Sequence, residues 1–473
     1  MSLHFGTGGW RAVIADEFTR QNIRLLCTAL AQQLKAGGLA SQGFVIGYDR
    51  RFLSREAAFW CAGVLCSQGI RVQLIDREAP TPLVMFWVES QNFGGGLAVT
   101  ASHNPAIYNG IKVFLPGGRD ADEIYTAALE KRMDTIEQNK TPLEELDPES
   151  AQQQGLLTLI DPMNEYIDSI LNTINLEAIR KRRLKIAMDP MYGVSKTALQ
   201  TVLLTARCDV DVIHDRHDTL FGGRLPAPNA RTLLSLQTFV LEHECDIGLA
   251  TDGDADRLGV IDDKAEFLHP NKILVLLYYY LLQYKGWRGP AVRNIATTHL
   301  LDAIAKDFKQ TCCEVPVGFK HISAEMLKTD ALIGGESSGG LTVKGHIHGK
   351  DGIYAASLLV EMIAVTGRSL SALWQEIEER YGHYEMAEHD FTFSLSRKKE
   401  IAEILLEKKQ LPSFSHTIAR ISYEDGCKVY FENGGWIIAR FSGTEPLLRI
   451  FCEMDSLQAA TQTAKCLENF LGL

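Results

Sequence analysis

Three aspartates at alternating positions, Asp252, Asp254 and Asp256 in GLATDGDADRLGV (248–260), follow an apolar run that reads as a strand. Carboxylates converging at such spacing repel one another unless a hard divalent cation neutralises them. A calcium EF-hand loop also begins D-x-D-x-D, but it requires glycine at its sixth position. Arg257 stands there instead, and the flanks are strand-like. Three monodentate carboxylates leave coordination positions that phosphate oxygen can fill, which suits Mg²⁺. A second stretch, TASHNPAIYNGIKVF (100–114), comes after Gly94, Gly95, Gly96 and the apolar Leu97, Ala98 and Val99. It ends a strand and sets Ser102 and His103 side by side on a turn. Asn-Pro makes turns in any protein, so the pair alone fits an ordinary surface loop. It also fits a serine nucleophile with a base beside it.

Two further turns carry polar clusters. In IGGESSGGLTVKGHIHGKDG (333–352), glycines flank Glu336, Ser337 and Ser338, followed by His346, His348, Lys350 and Asp351. Glycine lets backbone approach a ligand, and Glu with Ser offers an acceptor and a donor for vicinal hydroxyls. On its own this fits a flexible loop equally well. In IARFSGTEPLLRIFCE (438–453), Arg440, Ser442, Gly443, Thr444 and Arg449 surround a tight turn. Backbone N–H groups, two hydroxyls and two guanidiniums make a phosphate cradle. A fifth glycine-rich turn, FGTGGWR (5–11), ends in Arg11.

These turns need rigid elements to hold them. With 473 residues the chain exceeds one core, and three or four domains of about 100–150 residues are expected. Strand-then-helix patterns recur: GFVIGYDRR (43–51) before EAAFWCAGVLCSQG (56–69), RVQLIDR (71–77), LKIAMDP (184–190), and RNIATTHLLDAIAKDF (293–308). That rhythm predicts mixed α/β sheets with ligand loops at strand ends. As repeats, the three restarts are degenerate at most. Polar breaks at 133–155, 262–267 and 381–391 divide the chain into 1–155, 156–262, 263–384 and 385–473. The last unit alternates strands with one closing helix, an α+β pattern.

Composition narrows the function. A hydrophobic fraction of 46% and a charged fraction of 23% are those of a globular protein. The net charge of −11 argues against nucleic acid or an anionic membrane as partner. The longest apolar run, ILVLLYYYLLQY from Ile273, is too short to span a bilayer and predicts a buried helix. The ten cysteines lack CxxC spacing and suggest buried thiols in a reducing compartment. With no charged-then-apolar leader pattern in MSLHFGTGGWR, a cytoplasmic location is expected.

Taken in order, FGTGGWR, TASHNP, DGDADR, GESSG and RFSGTEP resemble the motifs of the α-D-phosphohexomutase family from end to end of the chain. The resemblance implies four domains in a heart shape around a central cleft, three of them related α/β units and the last of another fold. It implies that Ser102 is a phosphoserine, and that Asp252, Asp254 and Asp256 hold Mg²⁺ with a phosphoserine oxygen as further ligand. Arg257 would sit by that phosphate, and Glu336 with Ser338 would grip sugar hydroxyls. Arg440, Ser442, Gly443, Thr444 and Arg449 would bind the non-reacting phosphate, while Arg11, His103, Lys112 and Lys350 would serve proton transfer and charge stabilisation. Lys320, in VPVGFKHI (315–322), resembles a substrate-binding stretch of phosphoglucomutases. Gly340 replaces the histidine usual in phosphomannomutase and phosphoglucosamine mutase members. In the other direction, Ser337 and Gly349 stand where phosphoglucomutases customarily carry glutamate, and Phe441 replaces a customary proline, so the breadth of sugar accepted stays open. Hexose phosphates are the expected partners and glucose 1,6-bisphosphate the expected activator. The chain is expected to act as a monomer or weak homodimer. A metal-dependent sugar phosphatase or a non-catalytic sugar-phosphate sensor are the rival readings. The first would not need the cradle at 440–449, and the second would have lost Ser102 or an aspartate.

Overall fold

Phe44–Tyr48 is buried at every position, as is Ile247–Thr251. Strands covered on both faces carry continuous rather than alternating apolar residues. In the computed structural model, which describes residues 3–6, 9–441 and 447–473, both are central strands of mixed sheets.

Three of the four sheets share one topology. In the first, the order is Tyr108–Leu115, Gly96–Val99, Phe44–Tyr48, Val72–Ile75; in the second, Leu258–Ile261, Ile247–Thr251, Lys185–Asp189, Asp209–Val212. In the third it is Leu341–Val343, Ile333–Gly335, Ala291–Asn294, Cys312–Val315. Each set has three parallel strands and one antiparallel neighbour. The link into that antiparallel neighbour is the same connection in all three. It contains Ser102 in the first sheet, the three aspartates in the second, and Glu336 with Ser338 in the third. Sequence restarts too diverged to read as repeats are therefore one unit used three times.

Two boundaries drawn at polar breaks fall short of the sheets. Leu157–Ile160 pairs with Val72–Ile75, so the first sheet extends past 155. Phe267–Leu268 pairs with Leu258–Ile261, so the second extends past 262. Both are short apolar edge strands, LTLI and FL, that follow a polar connection, so a boundary placed on the polar stretch assigns them to the next unit. The fourth sheet is antiparallel throughout, from Glu385–Thr392 to Trp436–Phe441 and beyond, with the helix Leu457–Leu471 packed on it.

The second and third units share one apolar core, which also takes in part of the first. Gly352–Thr366 and Pro270–Gln283 are interior helices of it, and among the described residues no single helix is long and apolar enough to cross a membrane. The fourth unit has a core of its own. It meets the third through a small cluster around Ile295, Tyr430 and Trp436 and through buried polar contacts. Lys428, fully buried on the fourth sheet, donates to Ile295 O at 2.6 Å and to Glu314 at 2.7 Å, and lies 3.1 Å from His299 Nε2.

Burial, and then the Arg293 and Lys428 charges, hold the His299 imidazole down at about 3. The ordinary value is about 6.5, so between those limits the unfolded chain takes up a proton that the folded chain refuses. Stability should therefore fall as pH drops below about 6.5, by at most about 1.4 kcal/mol per pH unit from this group. Thermal unfolding followed from pH 7 to 4 should show that slope, and His299→Gln should flatten it. An equal slope in the variant would remove His299 from the account.

Candidate active site

Ser102 follows the strand Gly96–Val99 and adopts a left-handed backbone with φ +53. A non-glycine residue there costs on the order of 1–2 kcal/mol, so its surroundings must fix it. Its N–H donates to Thr100 Oγ1 at 2.8 Å, and Thr100 Oγ1 donates to Asp49 at 2.6 Å. Arg51, whose side chain is completely buried, gathers the rest of the loop. It donates to the carbonyls of Ser102 and Asn104 at 2.7 Å, Pro105 at 2.9 Å and Tyr108 at 3.0 Å. Its Nε lies 3.3 Å from Asp49. The planar fork of five donors explains why arginine is suited to this work. Gly253 closes the loop from the second unit, where a Cβ would stand 2.7 Å from Ser102 O.

The Ser102 hydroxyl donates to Asp252 Oδ2 at 2.7 Å. Asp252 Oδ1 accepts the Arg257 N–H at 3.0 Å. Lys112 Nζ lies 2.6 Å from both Asp254 Oδ2 and Asp256 Oδ2, Thr81 Oγ1 donates to Asp254 Oδ2 at 2.6 Å, and Lys350 Nζ lies 2.8 Å from Asp256 Oδ2. One oxygen from each aspartate falls within 4.8 Å of the others, and all three residues are buried. Asp254 Oδ1 and Asp256 Oδ1 have no hydrogen-bond partner. Buried carboxylate oxygens left unpaired are costly, and an all-oxygen set with two such atoms fits a hard divalent cation. Burial, then Asp254 and Asp256, push Asp252 up to about 8. Burial opposes the charge on Lys112, but Asp254 and Asp256 outweigh it and hold that ammonium above its ordinary value. Lys112 is thus a counter-ion here.

Cations line the other side. Arg11 donates through Nη1 to Asn104 Oδ1 at 2.8 Å, whereas its Nε and that of Arg257 are buried without an acceptor. Arg257 Nε lies 3.9 Å from Asp256 Oδ1, an ion-pair distance without a hydrogen bond, and two guanidinium N–H groups lacking an acceptor are suited to an anion. His103 Nδ1 lies 3.4 Å from Ser102 Oγ. Arg257 first, then burial and Arg11, hold His103 well below its ordinary value, so the imidazole is neutral at pH 7.

The aspartate turn and the Glu336 turn are joined backbone to backbone, whereas the Ser102 turn meets the aspartates through its hydroxyl and the close approach of Gly253. Arg257 bridges Gly340, Leu258 N donates to Gly339 O, and Gly352 N donates to Ala255 O. Ser338 Oγ donates to Glu336 Oε2 at 3.1 Å, and Glu336 Oε1 accepts from Gly318 N at 3.3 Å and Asn294 Nδ2 at 3.4 Å. A Cβ on Gly340 would overlap the Lys350 stem, so the absent side chain makes room for Lys350 to reach Asp256.

Structure brings Arg11, Ser102, His103, Lys112, Asp252, Asp254, Asp256, Arg257 and Lys350 into one cluster, with Glu336 and Ser338 on the adjoining turn. Lys320 instead pairs with Glu123 of the first unit at 2.7 Å. Arg440 stands opposite Arg449 on neighbouring strands, the former bonded to Asp425 at 2.7 Å and the latter 3.7 Å from Asp390. Ser442, Gly443 and Thr444 lie outside the described residues. Sequence reading missed Arg51, Thr81 and Asp425. Only Arg51 left a signal, as the last of three charged residues, Asp49, Arg50 and Arg51, that follow a buried strand.

Four family profiles match successive parts of the chain. They are described as phosphoglucomutase/phosphomannomutase α/β/α domain I over residues 2–140, domain II over 164–265, domain III over 269–381, and the C-terminal domain over 393–469. The phosphoglucomutase/phosphomannomutase of Thermococcus kodakarensis is 32% identical over 461 residues, spanning 97% of this chain and 96% of that one. A protein of Pyrococcus furiosus named as a probable phosphoglucosamine mutase is 30% identical, spanning 98% and 96%. The crystal structure of a Thermus thermophilus protein assigned as a phosphomannomutase superposes with TM-score 0.86 at 29% identity, covering 100% of both chains.

Proposed function

Since the chain belongs to the phosphoglucomutase/phosphomannomutase family, we propose that it interconverts α-D-glucose 1-phosphate and glucose 6-phosphate through phosphorylated Ser102 and a glucose 1,6-bisphosphate intermediate. The observation that carries this reading is the Ser102 hydroxyl on Asp252, at the head of a carboxylate set with two buried oxygens that have no hydrogen-bond partner.

Phosphoryl transfer depends on positioning and charge neutralisation more than on covalent help. A hydroxyl oxygen of the sugar phosphate attacks phosphorus on Ser102, and the bond from phosphorus to Ser102 Oγ breaks. The attacking hydroxyl gives up its proton to a basic side chain of the cluster as Ser102 Oγ takes one up on leaving. Neutral His103, 3.4 Å from Oγ, is suited to carrying a proton between the site and the serine oxygen. Arg11 and Arg257 offer their unpaired donors to the phosphoryl oxygens. Mg²⁺ held by Asp252, Asp254 and Asp256 would supply charge shielding for that group. Glu336 and Ser338 hold two ring hydroxyls, while Arg440 and Arg449 hold the phosphate that is not reacting. Turning the bisphosphate end for end and transferring back restores phosphorylated Ser102.

Glucose is the proposed sugar because Gly340 and the GFK stretch both favour the phosphoglucomutase branch. Mannose inverts only the 2-hydroxyl and should lose modestly in a site that reads hydroxyls 3 and 4. Amino sugars change the 2-substituent more and should rank last. The Pyrococcus relative keeps glucosamine as the alternative sugar. Measuring kcat/KM for glucose, mannose and glucosamine 1-phosphates side by side tests the order. Trace glucose 1,6-bisphosphate should relieve any lag. A preference for glucosamine 1-phosphate would refute the sugar and keep the mutase; release of phosphate without isomerisation would favour a phosphatase.

A further inference from the structure

Arg440 does not stand alone on its strand. Its Nε donates to Asp425 Oδ1 at 2.7 Å, and both side chains are largely buried. Asp425 lies on the turn before Cys427–Phe431, whose Cys427 pairs with Ala439, one residue from Arg440. Between them Gly426 has φ +94, and a Cβ there would meet Ala439 O at 2.6 Å and Arg440 Cα at 3.1 Å. The turn is therefore pressed against the Arg440 backbone and holds the carboxylate at a fixed place.

The other oxygen, Asp425 Oδ2, accepts the Val317 N–H of the third unit at 2.8 Å. The next N–H along that chain, on Gly318, donates to Glu336 Oε1. One carboxylate thus joins a guanidinium of the fourth unit to the backbone segment that also holds Glu336. The fourth unit has its own core, so the small apolar cluster around Ile295, Tyr430 and Trp436 and such polar contacts together align it with the third.

We propose that Asp425 is a positioning residue, which aims Arg440 at the non-reacting phosphate and ties that contact to the wall holding Glu336. The proposal rests on the reading of Arg440 as a phosphate ligand. An arginine stem has many rotamers, and occupying one guanidinium N–H on Asp425 selects among them before a phosphate arrives. The contact uses one of five donors and leaves the two amino groups suited to a phosphate.

The test is a mutant cycle on the full-length enzyme with glucose 1-phosphate, reading KM and kcat separately. Asp425→Asn preserves size and keeps an acceptor for Val317 N, but it places no carboxylate beside Arg440. It should raise KM about tenfold with kcat within about threefold, since the contact persists in ground and transition states. Arg440→Ala should raise KM at least as much. The double variant should be no worse than Arg440→Ala, because nothing remains to be aimed. Multiplying effects would overturn the proposal. So would a lowered kcat at unchanged KM in Asp425→Asn, with a reduced Tm, which marks a structural role only. If Arg440→Ala raises KM and Asp425→Asn does not, this proposal falls alone; if Arg440→Ala leaves KM unchanged, the phosphate reading falls and takes it along.

Discussion

Ser102→Ala is expected to lower kcat by more than about 10³-fold while the protein stays folded, because no other oxygen occupies the place of the nucleophile. The stability cost should be small. The hydroxyl is buried and donates one hydrogen bond to Asp252, and losing such a bond costs about 1 kcal/mol. Asp252 loses its partner, yet its high pKa lets it carry a proton in the metal-free protein, which softens the loss. A matched Tm with abolished turnover separates chemistry from folding. Full activity in this variant would end the phosphoserine mechanism.

The second large effect concerns the aspartates. Chelation should abolish turnover and Mg²⁺ should restore it. Asp254→Asn should shift the Mg²⁺ concentration for half-maximal activity upward by tenfold or more, as removal of one of three anionic ligands weakens a hard-cation site. In the metal-free state the same change removes a like charge from a buried cluster, so the apo protein should not be strongly destabilised, although Lys112 then relies on Asp256. A chelated enzyme with normal turnover would contradict the metal reading.

Much of this site was readable in the chain because its groups lie on short turns with restrictive chemistry. DGDADR sets three carboxylates at alternating positions, and TASHNP sets Ser102 beside His103. What stayed hidden depends on contacts far apart in sequence. Arg51 collects carbonyls around Ser102 from about fifty residues away. Lys112 is marked out by the family resemblance alone, and its place between Asp254 and Asp256 appears only in the fold. Gly340 reads as a departure from a family pattern, and its reason appears only when the Lys350 stem crosses it. Three related α/β units are expected from the resemblance, but their common strand order was not legible, because hydrogen-bonded strand order survives sequence changes that erase repeats. Edge strands 157–160 and 267–268 were assigned to the wrong unit because a polar connection precedes each short apolar strand.

The most direct test of the mechanism is mass spectrometry of the peptide containing Ser102, taken before and after mixing purified enzyme with excess glucose 1-phosphate. The account predicts a phosphate-sized increment on Ser102 in the enzyme charged with glucose 1,6-bisphosphate. That increment should diminish on mixing with the monophosphate as bisphosphate appears in solution. An actively isomerising enzyme whose Ser102 never carries phosphate, or whose phosphate there does not exchange with the sugar, would contradict it.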